Sequence, residues 1–394
     1  MRFVIVGGGV AGMTAALDLA SREVGEIDVY SDESYPYYYR PMLTEFLAGR
    51  ISQDRLIRRG VDWYEKRGIH VHLDAPVTAI HPEEKTITVA GEEQVSYDKL
   101  LIAIGSHPSR PPIEGVHKPG IYTWRTLDDT LELIDLARAC HKTLVIGGGL
   151  LGLEAARGLQ QYCNDLTVLE YFPRLLPRQL DVEGAEVLQD FVESLGVNVV
   201  VDAKTVEFPG EERATGAKLA DGREFPAGLI VVTAGVRCNT GLAQDAGLEV
   251  DRGIVVDDRM ATSAPDIYAA GDDAVYKDHY WAIAPIAQAQ ARIAAANMAG
   301  EETHYDVVVP STTLKVVGID VASIGEVHPP EDDDAYTEIR SLDREESIYK
   351  KIVLHEGKIV GAIAINAKDL ARELEPMISE HKAMTPEEAQ ALLS

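Results

Sequence analysis

The stretch Phe3-Val4-Ile5-Val6-Gly7-Gly8-Gly9-Val10-Ala11-Gly12 decides the fold, and it returns about 140 residues later as Leu144-Val145-Ile146-Gly147-Gly148-Gly149-Leu150-Leu151-Gly152. In each copy a short apolar strand runs directly into G-x-G-x-x-G and then into a helix rich in Ala and Leu. The first glycine of such a motif permits a tight turn. The second lets the backbone approach a pyrophosphate, and the third lets the helix pack closely on the strand. Main-chain amides at the helix start then hold the anion. One copy is weak evidence, since glycines also punctuate ordinary turns. Two copies in the same strand-turn-helix setting, each followed by an acid, predict two dinucleotide sites in one chain.

A chain of 394 residues is too long for one ordinary core and predicts two or three domains. No apolar run approaches the length of a membrane span, and the first residues pass at once into a strand instead of a cleavable leader. A cytoplasmic protein without membrane contact is expected. The net charge of −27 would repel a phosphate backbone over most of the surface, which argues against nucleic acid as a partner. Cys140, Cys163 and Cys238 stand far apart, with neither a metal-ligand spacing nor a C-x-x-C pair. They read as structural thiols, and no metal is expected.

The helix after the first glycine loop is expected over residues 10–21, and a strand over 27–30 ends at Ser31-Asp32-Glu33. These acids stand about twenty residues past Gly12, where a carboxylate accepts the ribose hydroxyls of an adenosine. The loop over 35–44 is aromatic, is stiffened by Pro36 and Pro41, and is costly to leave fully exposed. A strand at 69–72 and an alternating meander over 77–89 follow. An apolar strand over 97–105 closes on Gly105, and a proline-rich linker at 108–119 marks a domain boundary. Beyond a helix at 127–139 and the second glycine loop, a strand at 166–169 ends at Glu170. A carboxylate there accepts an adenosine 2′-hydroxyl and repels a 2′-phosphate, so NADH is expected over NADPH, with Arg174 and Arg178 nearby as a counterweight. The strand over 229–235 again closes on a glycine, Gly235. Strands at 254–257 and 267–272, an alanine-rich helix at 282–298, and strands at 314–317, 321–324, 348–354 and 359–363 complete the pattern before helical ends. The acidic run at 331–334 reads as a solvated loop.

With these residues in place, the chain resembles the two-dinucleotide-binding-domain flavoprotein reductases, the class that shares glutathione reductase architecture. The resemblance rests on an ordered set: Gly7 to Gly12, the Ala103-Ile104-Gly105 strand end, Gly147 to Gly152, the Thr233-Ala234-Gly235 strand end, and Ala270-Gly271-Asp272. It implies an α/β fold of two Rossmann-like domains, for FAD and NAD, with a smaller α+β C-terminal interface domain. The FAD domain would take residues 1–115 and 241–303, the NAD domain 116–240 and the interface domain 304–394. Within the class the chain is similar to NADH:rubredoxin reductases and to the N-terminal part of nitrite reductase large subunits. Tyr38-Tyr39-Arg40-Pro41, Leu43-Thr44-Glu45, Gln179-Leu180-Asp181 and Leu314-Lys315-Val316 carry that likeness. Oxygenase-type ferredoxin reductases share the Arg-Pro loop but usually carry lysine where Glu45 stands. The disulfide reductases and single-cysteine oxidases of the class need a thiol in this segment, and Met42, Leu43, Thr44, Glu45 and Phe46 supply none.

The resemblance implies that Gly7, Gly9, Ala11 and Gly12 line the FAD pyrophosphate, Asp32 or Glu33 the adenosine ribose, and Gly271 and Asp272 the ribityl chain or phosphate. Val77, Ala103, Gly105, Arg125 and Gly235 are further expected cofactor contacts. Arg40, Pro41 and Glu45 would line the isoalloxazine, and the helix start at Pro285 and Ile286 would aim amides at its electron-rich pyrimidine end. Gly147, Gly149, Gly152 and Glu170 would hold NADH, with Glu154 positioning the nicotinamide carboxamide. The implied activity is transfer of electrons from NADH through FAD to a small redox protein such as rubredoxin, by a monomer or homodimer. Direct hydride transfer calls for no side-chain acid or base. Lys315, between apolar neighbours, would face either solvent or the flavin edge, where its charge would attract an acidic carrier. The rival readings are an NADH oxidase or quinone reductase, and a redox or nucleotide sensor without turnover.

Overall fold

The computed structural model describes the chain except Asn164, Asp278, Trp281, residues 307–310, Val317, Glu331 and Ser394; the side chains of residues 311–316 also lie outside the described residues. Contacts divide the chain into two units. Met1–Phe46, Arg50–Ser109 and Gly235–Val308 form the first, and Leu47–Gly49, Arg110–Ala234 and Val309–Ser394 form the second.

In the first unit a five-stranded sheet runs in the order Ile267–Ala269, Lys99–Ile102, Arg2–Val6, Glu26–Tyr30, Ile69–His72, with every pair parallel. Phe3, Val4 and Ile5 on the central strand are wholly buried, which is why that strand reads as an unbroken apolar run. Helix Val10–Ser21 packs against helix Ala284–Met298. Both present buried small residues, Ala11, Gly12, Ala15 and Ala16 on one and Ala287, Ala291, Ala294 and Ala295 on the other, so their backbones approach closely. The expected strand over 97–105 is shorter, Lys99–Ile102. Its continuation leaves the sheet because the Ile104 and Gly105 amides donate to the Asp273 carboxyl instead of to a neighbouring strand. An antiparallel meander of Val77–His81, Thr86–Val89 and Glu93–Ser96 precedes it.

The second unit holds a parallel sheet in the order Asn198–Val200, Asp165–Leu169, Lys142–Ile146, Leu229–Val232, Ile121–Thr123. Helix Leu127–Ala139 begins with a reciprocal cap: Thr126 Oγ1 accepts from the Asp129 amide at 3.1 Å, and the Asp129 carboxylate accepts from the Thr126 amide at 2.9 Å. The same unit carries an antiparallel sheet in the order Ser311–Val316, Ile319–Gly325, Lys358–Ile365, Ile348–His355, Tyr336–Asp343. Helices Lys368–Ser379 and Pro386–Leu393 close its core.

Several elements of this unit go beyond the sequence reading, among them a helix and an edge strand. Helix Val182–Ser194 starts at Asp181, whose side chain caps the Gly184 amide at 3.0 Å, and buries Ala185, Val187, Leu188 and Val192 at helical spacing. Strand Tyr336–Asp343 is a polar edge whose only buried side chain is Ile339. Asp332, Asp333 and Asp334 are exposed, as the acidic run predicts, and Glu331 lies outside the described residues. Helix and edge strand are joined by buried polar contacts. Lys351, 1 % exposed, lies 3.1 Å from Asp181 and 2.5 Å from Glu338 and donates to the Val327 carbonyl; the Tyr349 hydroxyl donates to Asp181 at 2.6 Å.

Candidate cofactor sites

At the first glycine loop, Gly7 turns at a φ of +112°, and its missing Cβ is what lets the Ala103 carbonyl approach. A Cβ at Gly12 would collide with the Gly7 carbonyl oxygen, whereas one at Gly9 would meet no atom within 4 Å. The cradle is therefore tight on its protein side and open on its outer side. Helix Val10–Ser21 carries no acid in its first turn, so its amides present an unopposed positive end to that opening. The second loop repeats this geometry. A Cβ at Gly152 would strike the Gly147 carbonyl oxygen, one at Gly149 would meet nothing within 4 Å, and helix Leu150–Leu159 has no acid in its first turn.

The acids differ in their partners. Gly8, Gly9, Ser31, Glu33, Tyr37 and Arg40 wall one pocket. Glu33 accepts from Arg40 Nη2 at 2.5 Å and from the Tyr38 hydroxyl, while Asp32 beside it is exposed. Burial opposes the Arg40 charge, but Tyr38 and Glu33 more than offset it and hold the guanidinium protonated. Burial pushes the Tyr37 phenol up to about 12. Glu170 is buried at the end of strand Asp165–Leu169, with Oε2 accepting from the Gly148 amide and Oε1 from the Phe172 amide at 2.8 Å. Arg174, a sequence-level argument for NADPH, donates to the Leu180 and Pro177 carbonyls at 3.1 and 3.2 Å, so its guanidinium braces its own loop.

The remaining predicted residues fall as follows. The Gly271 amide donates to buried Gln290 at 2.9 Å, and a Cβ at Gly271 would press on Ala11 at 3.0 Å, so those two expected contacts adjoin. Asp272 accepts from the Ser106 hydroxyl at 3.0 Å. Gly105, at a φ of +67°, receives the Asn239 amide on its carbonyl, and the Gly235 carbonyl accepts from the Ser109 amide. Pro41 is exposed in the short turn Arg40–Met42, and Glu45 on helix Leu43–Leu47 pairs with Arg50 at 3.1 Å. Pro285 is exposed and Ile286 buried in the first turn of Ala284–Met298, which also lacks an acid. Val77 is half-buried on the meander, Glu154 half-buried on Leu150–Leu159, and Arg125 precedes the cap of Leu127–Ala139 with its amide on Asp129 at 2.7 Å. Lys315 is paired in register with Asp320 on strand Ser311–Val316; its side chain, and Val317 at the end of the expected strand, lie outside the described residues.

Sequence reasoning passed over Asp273. It is wholly buried, and its Oδ2 accepts from the Ile104 and Gly105 amides at 2.7 and 3.1 Å. Its Oδ1 has no partner among the described residues. Burial raises the carboxyl well above the usual range, with neighbouring Asp272 adding to that, and outweighs the amide hydrogen bonds. The signal was the doubled acid at 272–273, since successive residues leaving a strand point to opposite sides. The open cradle at Gly9 and the buried oxygen beside Gly271 fit a bound dinucleotide in the first unit, and the open cradle at Gly149 fits one in the second.

Cys140, Cys163 and Cys238 are free thiols, and burial pushes the Cys163 and Cys238 groups up, away from the reactive thiolate. Among the described residues no helix is long and apolar enough to cross a membrane, and no group of three or more His, Cys, Asp or Glu side chains forms a metal set.

Comparison with known proteins agrees with this arrangement. Residues 1–302 match the pyridine nucleotide-disulphide oxidoreductase family and residues 310–382 the rubredoxin NAD+ reductase C-terminal domain. A nitrite reductase (NAD(P)H) of Bacillus subtilis (strain 168) is 36% identical over 383 residues, 96% of this chain and 47% of that protein. The NADH-rubredoxin oxidoreductase of Clostridium acetobutylicum is 31% identical over 382 residues, 97% of this chain and 95% of that one. Putidaredoxin reductase, in a crystal structure of its covalent complex with putidaredoxin, superposes with a TM-score of 0.86 at 25% identity, covering 100% of this chain and 95% of that one. The chain spans 40 to 49%, about half, of the length of the first curated relatives it matches. The doubled cradle, the expected α/β architecture and these matches agree: the chain belongs to the pyridine nucleotide-disulphide oxidoreductase family, whose members are FAD- and NAD(H)-dependent oxidoreductases.

Proposed function

We propose that this chain takes electrons from NADH and delivers them to a small redox protein, rubredoxin being the favoured acceptor. The observation that carries the reading is the pair of open glycine cradles on one chain with no thiol at positions 42–46, so electrons have no disulfide to pass through. When bound, FAD supplies hydride acceptance and one-electron release. The balance is one NADH giving two electrons and one proton, which reduces two one-electron carriers and forms NAD+.

The residues of this chain bind and orient. Gly9 and Gly149 leave room for a pyrophosphate on a helix start. Glu33, fixed by Arg40 and Tyr38, offers a carboxylate for the ribose at the first site. Glu170 does so at the second, and its charge disfavours the 2′-phosphate of NADPH. Glu154 would orient the carboxamide of the nicotinamide, and the acid-free start of Ala284–Met298 would offer its amides to the electron-rich end of the flavin. The similarity to a rubredoxin oxidoreductase along nearly the whole chain supports the choice of acceptor. An anaerobic acceptor panel tests it. The NADH-reduced protein should be reoxidised by rubredoxin far faster than by oxygen or a small quinone. Preference for oxygen or quinone makes it an oxidase or quinone reductase, and no reoxidation by any of them makes it a sensor.

A further inference from the structure

Against a net charge of −27, residues 50–67 stand out, because six basic residues meet only three acids there. Arg50, Arg55, Arg58, Arg59, Lys66 and Arg67 are all exposed. Elsewhere in the first unit several basic side chains are paired: Arg2 with Asp28, Arg22 with Asp18, Arg40 with Glu33, and Lys85 and Lys99 with Asp266. Arg55, Arg58, Arg59, Lys66 and Arg67 form no ion pair among the described residues, so their charge is available to a partner. Part of it is also preorganised. The Arg67 guanidinium lies 3.5 Å and that of Arg59 5.0 Å from the Trp63 ring centroid, and Arg67 Nη1 donates to the Trp63 carbonyl at 2.9 Å. Two cations held on one indole lose little side-chain freedom when an anion arrives.

We infer that this segment is the docking surface for a small redox protein with an acidic face. The inference rests on the reductase reading above and gives that reading a partner surface. Two observations favour a small protein over a polyanion. The segment joins the candidate flavin loop through the Arg50–Glu45 ion pair at 3.1 Å, so a carrier seated there lies near residues implied to line the isoalloxazine. A compact partner also engages the patch within a screening length of about 10 Å, whereas a membrane or a nucleic acid must face the acidic remainder.

The test compares the flavin-loaded full chain with its Arg58→Glu/Arg59→Glu variant, for binding of an acidic rubredoxin at about 20 mM and about 0.5 M salt. Phosphatidylserine vesicles and a single-stranded oligonucleotide serve as alternative probes. The expected result is rubredoxin binding that weakens with salt and is lowered at least about tenfold in the variant at low salt, with the gap closing at high salt. NADH-driven flavin bleaching and thermal stability should not change, and Arg58→Gln/Arg59→Gln should give a smaller loss. Equal rubredoxin affinity in parent and variant overturns the surface while leaving the reductase reading intact, provided the parent still reduces rubredoxin. Absence of rubredoxin binding by the parent overturns the surface too. Vesicle or oligonucleotide binding that the variant loses, without rubredoxin binding, reassigns the patch to a polyanion.

Discussion

At the first glycine loop Glu33 is gripped by side chains, Arg40 and Tyr38, that arrive from the aromatic loop; at the second Glu170 is gripped by main-chain amides, those of Gly148 and Phe172. The backbone of the two cradles is the same, with the third glycine against the first and open space at the second. Their acids are thus positioned by different means: the first depends on residues outside the loop, the second on the loop's own course. Buried charge is also handled differently. Asp273 in the first unit has its carboxyl raised by burial although it accepts from two amides, whereas Lys351 in the second lies against two carboxylates, Asp181 and Glu338. A shared motif fixes the glycine cradle, and each fold then builds its own support around it.

The largest effects should come from breaking what the cradles share. Gly12→Ala and Gly152→Ala each drive a methyl into a carbonyl oxygen of the same loop, and each should cost about 3 kcal/mol by denaturant unfolding. Flavin retention should fall for the first and NADH affinity for the second. Parent-like unfolding in either variant would show that the loop relaxes freely.

Lys351→Met breaks only the second unit's support. It leaves Asp181 and Glu338 facing each other without their cation and should cost about 3 kcal/mol. Burial opposes ionisation of Asp181, but the Tyr349 hydroxyl, the Gly184 amide and Lys351 outweigh it and hold the pKa below the usual carboxylate value. Glu338 is likewise lowered against burial, by Lys351 and Arg340. Depressed carboxylates contribute stability above their unfolded pKa and lose it as pH falls through the folded one. Acid unfolding of the parent should therefore steepen below about pH 4, and the variant should lose less there. Parallel pH profiles would remove the cluster from the account.

Gly9→Ala and Gly149→Ala sharpen the comparison, because helix entry at φ −79° and −77° tolerates alanine and the new methyls meet no protein atom. Stability should change by less than about 1 kcal/mol. Affinity for FAD in the first case and NADH in the second should drop about tenfold or more, as the methyl occupies the pyrophosphate approach. Unchanged binding would empty the cradles of their assigned role. Glu170→Ala should narrow the ratio of kcat/KM for NADH over NADPH by about tenfold, with little effect on flavin content. Equal use of both coenzymes by the parent would refute the assignment. The smallest change should follow joint replacement of Cys140, Cys163 and Cys238 by Ser, with flavin reduction by NADH within about threefold of the parent.

What could be read from the sequence was local. The glycine loops, the apolar strands beside them and helix Leu127–Ala139 are each specified by a few adjacent residues. Helix Val182–Ser194 was equally local, signalled by Asp181 and the spacing of Ala185, Leu188 and Val192, but went unread. The grip of Arg40 on Glu33 was not legible, because it depends on how the aromatic loop turns back. Lys350 and Lys351 look alike as exposed strand lysines. A strand must turn adjacent side chains to opposite faces, yet only the fold says that Lys351 is the inward one and which acids await it.

Anaerobic titration of the flavin-loaded protein with NADH tests the central claim, one FAD cradle and one NADH cradle on a single chain. The account predicts one tightly held FAD per chain, whose yellow absorbance bleaches with one equivalent of NADH, and loss of that bleaching in Gly149→Ala at NADH levels that suffice for the parent. A chain that retains no flavin, or whose flavin stays yellow in excess NADH, would contradict it.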